Sequence, residues 1–123
     1  MTLEVNLVAQ AGVYDLEAKA ICGNTMVTGF TSAGTTQATA APLPLADYVV
    51  VATNAAGAGV SLPNPGAAEI NILNMSANAL LVYPPVGGNV NQAAVNTGFS
   101  VAAGKNAQFQ SPDGTNWFAT HST

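Results

Sequence analysis

The sequence predicts an all-β protein, a jelly-roll-like β-sandwich preceded by an N-terminal arm or short helix. Two observations point there. Short β-branched or alternating apolar runs recur about every ten residues and are separated by Gly, Pro and Asn turns, the spacing of sandwiches and jelly rolls. No long helical period alternates with them, which argues against a doubly wound sheet. With 123 residues the chain has room for one domain. It divides into an arm over residues 1–30 and a sandwich over residues 31–123.

Taken in order, "TLEVNLVAQ" sets Leu3, Val5 and Leu7 against Thr2, Glu4 and Asn6. That period of two reads as a strand with one buried face, or as an arm that pairs with another subunit. In "VYDLEAKAI" the residues Val13, Leu16, Ala20 and Ile21 share one helical face, and Asp15 precedes Lys19 by four positions. A short helix competes here with a strand through Ala18–Cys22. From Gly23 to Pro44 the chain is rich in Gly, Thr, Ser and Ala and reads as a loop or hinge with short extended pieces. "YVVVATN" is then a β-branched strand, closed by "AAGAG". "VSLPNPG" is a short extended piece and a proline-bounded turn. "AEINILNMS" turns Ile70, Ile72 and Asn74 to one side and Asn71, Leu73 and Met75 to the other, as in a sheet covered on both faces. It is expected to form a hairpin with "ANALLVYPP". Pro84-Pro85 ends that strand, since proline donates no ladder hydrogen bond. Gly87-Gly88 then lets the chain reverse before Val90. Three further strands are expected at Phe99–Val101, Ala107–Gln110 and Trp117–Thr120, joined by turns at Ala103-Gly104-Lys105 and Pro112-Asp113-Gly114.

Composition narrows the function. Only 7% of residues are charged, against about 25% in ordinary soluble domains. A surface so poor in charge does little to keep copies apart and suits a packed assembly. Lys19 and Lys105 are the only permanent side-chain cations, and the net charge is −4, so no basic patch for nucleic acid can form. Much of the apolar content is alanine, and with one Trp, four Phe and three Tyr the core is thin enough to invite help from neighbouring subunits. No run reaches the ~18 apolar residues of a membrane span. The start "MTLEVNLVAQ" shows neither the basic nor the long apolar region of a signal peptide.

The residues that carry chemistry are scattered. Cys22 is alone and reads as a small buried apolar group. Glu4, Asp15, Glu17, Asp47, Glu69 and Asp113 lie singly apart from the Asp15/Glu17 pair, and Asp113 is accounted for by its turn. His121 is near the C-terminus, where a general base is poorly held. "GAGVSLP" and "PPVGGN" open no helix and are not phosphate cradles. Zinc ligands are too few, and the acidic loop of a calcium site is absent around Asp113 and Asn116. The expectation is therefore no catalytic residue, no metal and no cofactor. Asn74-Met75-Ser76 fits the glycosylation pattern by chance. Tyr14, Tyr48, Tyr83 and Trp117 are available to stack on sugars, although "NWFAT" places Trp117 in core or interface and Tyr83 is favoured as a packed ring.

From about Ser32 onward the motif order becomes specific. Gly59, Val60, Leu62 and Pro63 fit a "G-V-x-L-P" start. Ile72, Asn74, Leu80, Val82, Tyr83 and Pro84 fit "I-x-N-x-x-x-x-x-L-x-V-Y-P". Gly87, Gly88, Val90 and Asn91 give a glycine turn with a "V-N" step, Ser100 to Lys105 an "S-V-A-A-G-K" turn, and Trp117 the closing strand. This order resembles a β-domain of tailed-bacteriophage virion proteins, among them head decoration (cement) proteins and fibres. Residues 1–30 carry no such match.

The resemblance implies a non-enzymatic virion component, a homotrimer that binds the major capsid protein on the outer capsid surface after synthesis in the host cytoplasm. The chain has no long shaft or coiled coil, which fits decoration better than a fibre. Its N-terminal arm would meet the capsid or a neighbour by adding to a sheet edge. Leu3, Val5, Leu7, Tyr83 and Trp117 are the expected interface residues. No nucleic acid and no membrane are expected as partners. The alternative is a carbohydrate-binding or fibre-type attachment module that takes a surface glycan.

Overall fold

The computed structural model describes residues 26–63 and 68–122. Among the described residues ten strands form two sheets: β1 (Met26–Thr31), β2 (Ala41–Pro42), β3 (Tyr48–Thr53), β4 (Gly59–Ser61), β5 (Ala68–Asn74), β6 (Leu80–Tyr83), β7 (Asn89–Val90), β8 (Phe99–Val101), β9 (Asn106–Ser111) and β10 (Asn116–His121). The larger sheet has the order β1-β3-β5-β9-β10-β7 and the smaller β2-β4-β6-β8. The described residues form an all-β, two-layer sandwich. Between the layers lie Val49, Val51, Val60, Ile70, Ile72, Leu80, Val82, Val101, Phe109 and Trp117, each at most 1% exposed. They are the inward half of each alternating run, as a pleated strand requires.

The connectivity differs from the expected jelly-roll form. Strands β1 to β6 alternate strictly between the two sheets, and within each sheet they pair in parallel: β1 with β3, β3 with β5, β2 with β4, β4 with β6. A jelly roll is built from antiparallel Greek keys. Here the chain instead winds through three coils of a solenoid, and β8, β9 and β10 then close the structure with antiparallel pairing. For the same reason β5 and β6 are not a hairpin. They lie in opposite sheets, and residues 75–79 carry the chain across the core. Both strands look amphipathic because each buries one face into the same core from opposite sides.

Coil repetition is visible once the register is known. Val27, Val49 and Ile72 stack in one inward row, and Ala41, Val60 and Val82 in the facing row. Leu43 and Leu62 occupy equivalent buried corners, each donating its N–H to the next coil, to Ser61 (3.0 Å) and Tyr83 (2.8 Å) respectively. Each is followed by proline, which ends the ladder there. The opposite corners carry a polar ladder. Ser32 Oγ donates to Asn54 Oδ1 (2.6 Å), and Asn54 and Asn78 exchange side-chain-to-backbone bonds of 3.1 and 2.9 Å. The sequence separations are 22 and 24 residues, the length of one coil.

Strands β1, β2 and β7 were not expected. β1 and β2 fall in the stretch read as a loop or hinge, and β1 straddles the proposed boundary between residues 30 and 31. In β1 (MVTGFT) Gly29 interrupts the strand-favouring Val27, Thr28, Phe30 and Thr31, and β2 is only two residues long, so neither shows a clean alternating run. They become strands because β3 and β4 offer them parallel edges. The ladder of β1 is broken by a bulge between Val27 and Phe30, where Gly29 takes a φ of 68°.

Candidate functional site

The described residues carry a patch of exposed apolar side chains. On the outer face of the larger sheet, Met26 pairs with Tyr48 and Val50 with Leu73, and Met75 follows Leu73 on the same face. Met26, Tyr48 and Met75 are 67%, 47% and 61% exposed, and Val50 and Leu73 are half-buried between them. The neighbouring half of the face is polar: Gln108 donates to Glu69 Oε1 at 2.6 Å, beside Asn106 and Gln110. The apolar patch thus lies over the parallel coils. Its signal in the sequence was the second apolar set of β5, Leu73 and Met75, which a sheet with one solvated face would make polar.

Tyr83 and Trp117, expected at the interface, are interior groups. Trp117 is fully buried and donates its indole N–H to the Gly114 carbonyl at 3.2 Å. Tyr83 is 8% exposed. Its ring lies against two glycines: a Cβ at Gly59 would come 2.9 Å from Cε2, and one at Gly98 would come 3.0 Å from Cε1. Its hydroxyl faces the Thr35 carbonyl at 3.4 Å. Packing inside the domain consumes both rings, so neither is offered to a partner or a sugar. Leu3, Val5 and Leu7 lie outside the described residues.

The segment after Tyr83 is held by amides. Gln37 Nε2 donates to the Pro84 carbonyl (2.7 Å) and to Asn96 Oδ1 (3.1 Å), and Asn96 Oδ1 also accepts the Gly87 N–H at 2.7 Å. Gly87 takes a φ of 88°, as the expected reversal requires. These bonds hold the turn in place. Asn74 of the glycosylation pattern is fully buried, and its Nδ2 donates to the carbonyls of Asn78, Val101 and Ala102.

Among the described residues no three of His, Cys, Asp and Glu stand close enough to hold a metal. No helix of the described residues is long and apolar enough to cross a membrane. His121 is exposed at the end of β10, its ring tilted against Phe99 at 5.6 Å. Asp113 does the work of its turn. Its Oδ1 accepts the N–H groups of Asn116 (2.8 Å) and Thr115 (2.9 Å), and Oδ2 accepts the Asn116 side-chain amide (2.9 Å).

Those bonds, the Asn116 backbone bond first, lower the Asp113 pKa from 3.8 to about 2. A carboxyl whose folded pKa is depressed stabilises the fold above its unfolded value and loses that contribution as pH falls through the folded one. Asp113→Ala is therefore expected to melt below the wild type at neutral pH. The gap in Tm should narrow as pH falls from above 3.8 to about 2, measured by circular dichroism melts across that range. A gap constant with pH would show that the carboxylate is not the source.

No family model matches the chain, and no curated protein matches it.

Proposed function

We propose that the protein is a non-enzymatic virion component, a capsid decoration protein that binds the assembled shell of a tailed bacteriophage as a homotrimer and stabilises it from the outer surface. The structural observation that carries this reading is the patch formed by Met26, Tyr48, Val50, Leu73 and Met75 on the outer face of the larger sheet, in a chain of which only 7% of residues are charged. Exposed apolar patches on such a surface mark protein contacts, and charge-depleted faces are typical of permanent interfaces. The motif order from Gly59 to Trp117 supplies the virion context. Binding only the assembled capsid would stabilise it by mass action, with no chemistry required.

The test is to mix purified protein with capsids of the phage that encodes it. The expected results are cosedimentation, a higher capsid melting temperature, and a trimer by light scattering. Tyr48→Asp, placed in the patch and exposed, should weaken binding while leaving the fold intact. A monomer that does not associate with capsids overturns the proposal. The glycan alternative now has only Tyr48 among the described aromatics named for it, in register with Asn71 on the outer face. Glycan-array binding lost in the same variant, without capsid binding, would favour that reading.

A further inference from the structure

Among the described residues, one end of the solenoid carries no covering strand. β1 is an edge of the larger sheet and β2 an edge of the smaller, and both belong to the first coil. Two parallel edges therefore lie on the same side of the sandwich, and no described strand pairs with the outer side of either. The core is also less buried there. In the second coil Val49, Val51 and Val60 are fully buried, but their partners in the first coil, Val27, Phe30 and Ala41, are only partly buried while packing against the same core. At the other end the antiparallel strands β8 and β9 cover β6 and β5. No described strand covers the first coil in this way.

We propose that residues 3–22 of the same chain dock on this open end as a fourth coil. The argument is one of register. Ser32 and Asn54 are separated by 22 residues at equivalent corners. Stepping back by that interval from Val27, Phe30 and Ser32 reaches Val5, Val8 and Gln10. The two valines extend the inward rows, and Gln10 extends the polar ladder with an amide able to donate to Ser32 Oγ. The corner reads Gln10-Ala11-Gly12 against Ser32-Ala33-Gly34 and Asn54-Ala55-Ala56-Gly57. Leu7 falls opposite Gly29, where an added Cβ would meet nothing. The outward positions agree too, with Glu4 stepping onto exposed Met26. In the smaller sheet, Ala41 precedes Val60 by 19 residues and Val60 precedes Val82 by 22. The same intervals before Ala41 span Lys19 to Cys22, so Ala20 and Ile21 lie where a strand would cover Ala41. The second and third coils obey the rule that the fourth would follow, and a solenoid end needs a cap. This inference is independent of the proposed function.

Neighbouring parallel residues lie about 4.8 Å apart, within the Cα range of a disulfide. In a Cys22→Ala background, Glu4→Cys with Met26→Cys should oxidise to a disulfide within one chain, read as a monomer on a non-reducing denaturing gel with the two thiols lost by mass. Glu4→Cys with Phe118→Cys, on the same face but on β10, should not. In the wild type, amide hydrogen exchange should show residues 3–9 protected at least tenfold over an unstructured peptide. Unprotected amides there overturn the proposal. A Glu4/Met26 link between two chains overturns it in favour of an exchanged arm, and protection without the link overturns the stated register.

Discussion

Trp117→Ala is expected to destabilise the domain by about 3–5 kcal/mol, the cost of removing a large aromatic from a packed core. The ring is fully buried. It sits on β10 between β9 and β7, so it contacts the part of the sheet that closes the solenoid. Losing it removes apolar burial and leaves a cavity in a core whose other large members are mostly Val, Ile and Leu. The Gly114 carbonyl, in the Asp113 turn, also loses its indole donor. Against a total stability of about 5–15 kcal/mol such a loss could unfold the protein at growth temperature. Urea denaturation followed by circular dichroism should show a lower midpoint with an unchanged slope. Trp117→Phe keeps most of the volume and should lose less than half as much. A Trp117→Ala midpoint close to that of the wild type would place the ring outside the core.

Asn74→Ala should cost about 3 kcal/mol or more, although it deletes only an amide. Asn74 Nδ2 serves the carbonyls of Asn78 (2.8 Å), Val101 (3.0 Å) and Ala102 (3.3 Å), and Oδ1 accepts the Ser76 hydroxyl (2.6 Å) and N–H (3.1 Å). One side chain thus ties the crossing between the layers to the end of β8. Removing it leaves buried or half-buried groups unpaired, at about 1–3 kcal/mol for each that water cannot reach. Gln110→Ala, on the exposed face of β9, should fall within about 0.5 kcal/mol of the wild type. Urea midpoints of the two variants measure the difference. Equal midpoints would mean that the Asn74 network adds nothing.

Much of the fold was legible from local pattern. The runs at Tyr48–Thr53, Leu80–Tyr83 and Phe99–Val101 are strands at those residues. Asp113 holds its turn, with Gly114 at a φ of 80°. Each of these depends on neighbours a few residues away, and periodicity reports such neighbours directly. The pairing of strands was not legible. Two amphipathic strands joined by a short polar connection fit a hairpin as well as a crossing between layers, and alternation alone does not distinguish them. Pairing with distant strands separates them, β5 with β3 and β9 and β6 with β4 and β8, and Asn74 ties the two layers through bonds to Val101 and Ala102.

The candidate site divides in the same way. An aromatic at a strand end carries no mark of its surroundings, and Tyr83 is buried because Gly59 and Gly98 leave room for its ring. The outer patch exists because parallel pairing brings Tyr48 beside Met26 and Val50 beside Leu73. The amino-acid sequence by itself determined an all-β chain, where most strands and turns lie, and a surface with little charge. Only the tertiary structure decided that β1 to β6 form a solenoid, that β1 and β2 are strands at all, and which of the described aromatics face outward. The reason is that strand partners and burial are set by residues about one coil away, beyond the reach of any local pattern.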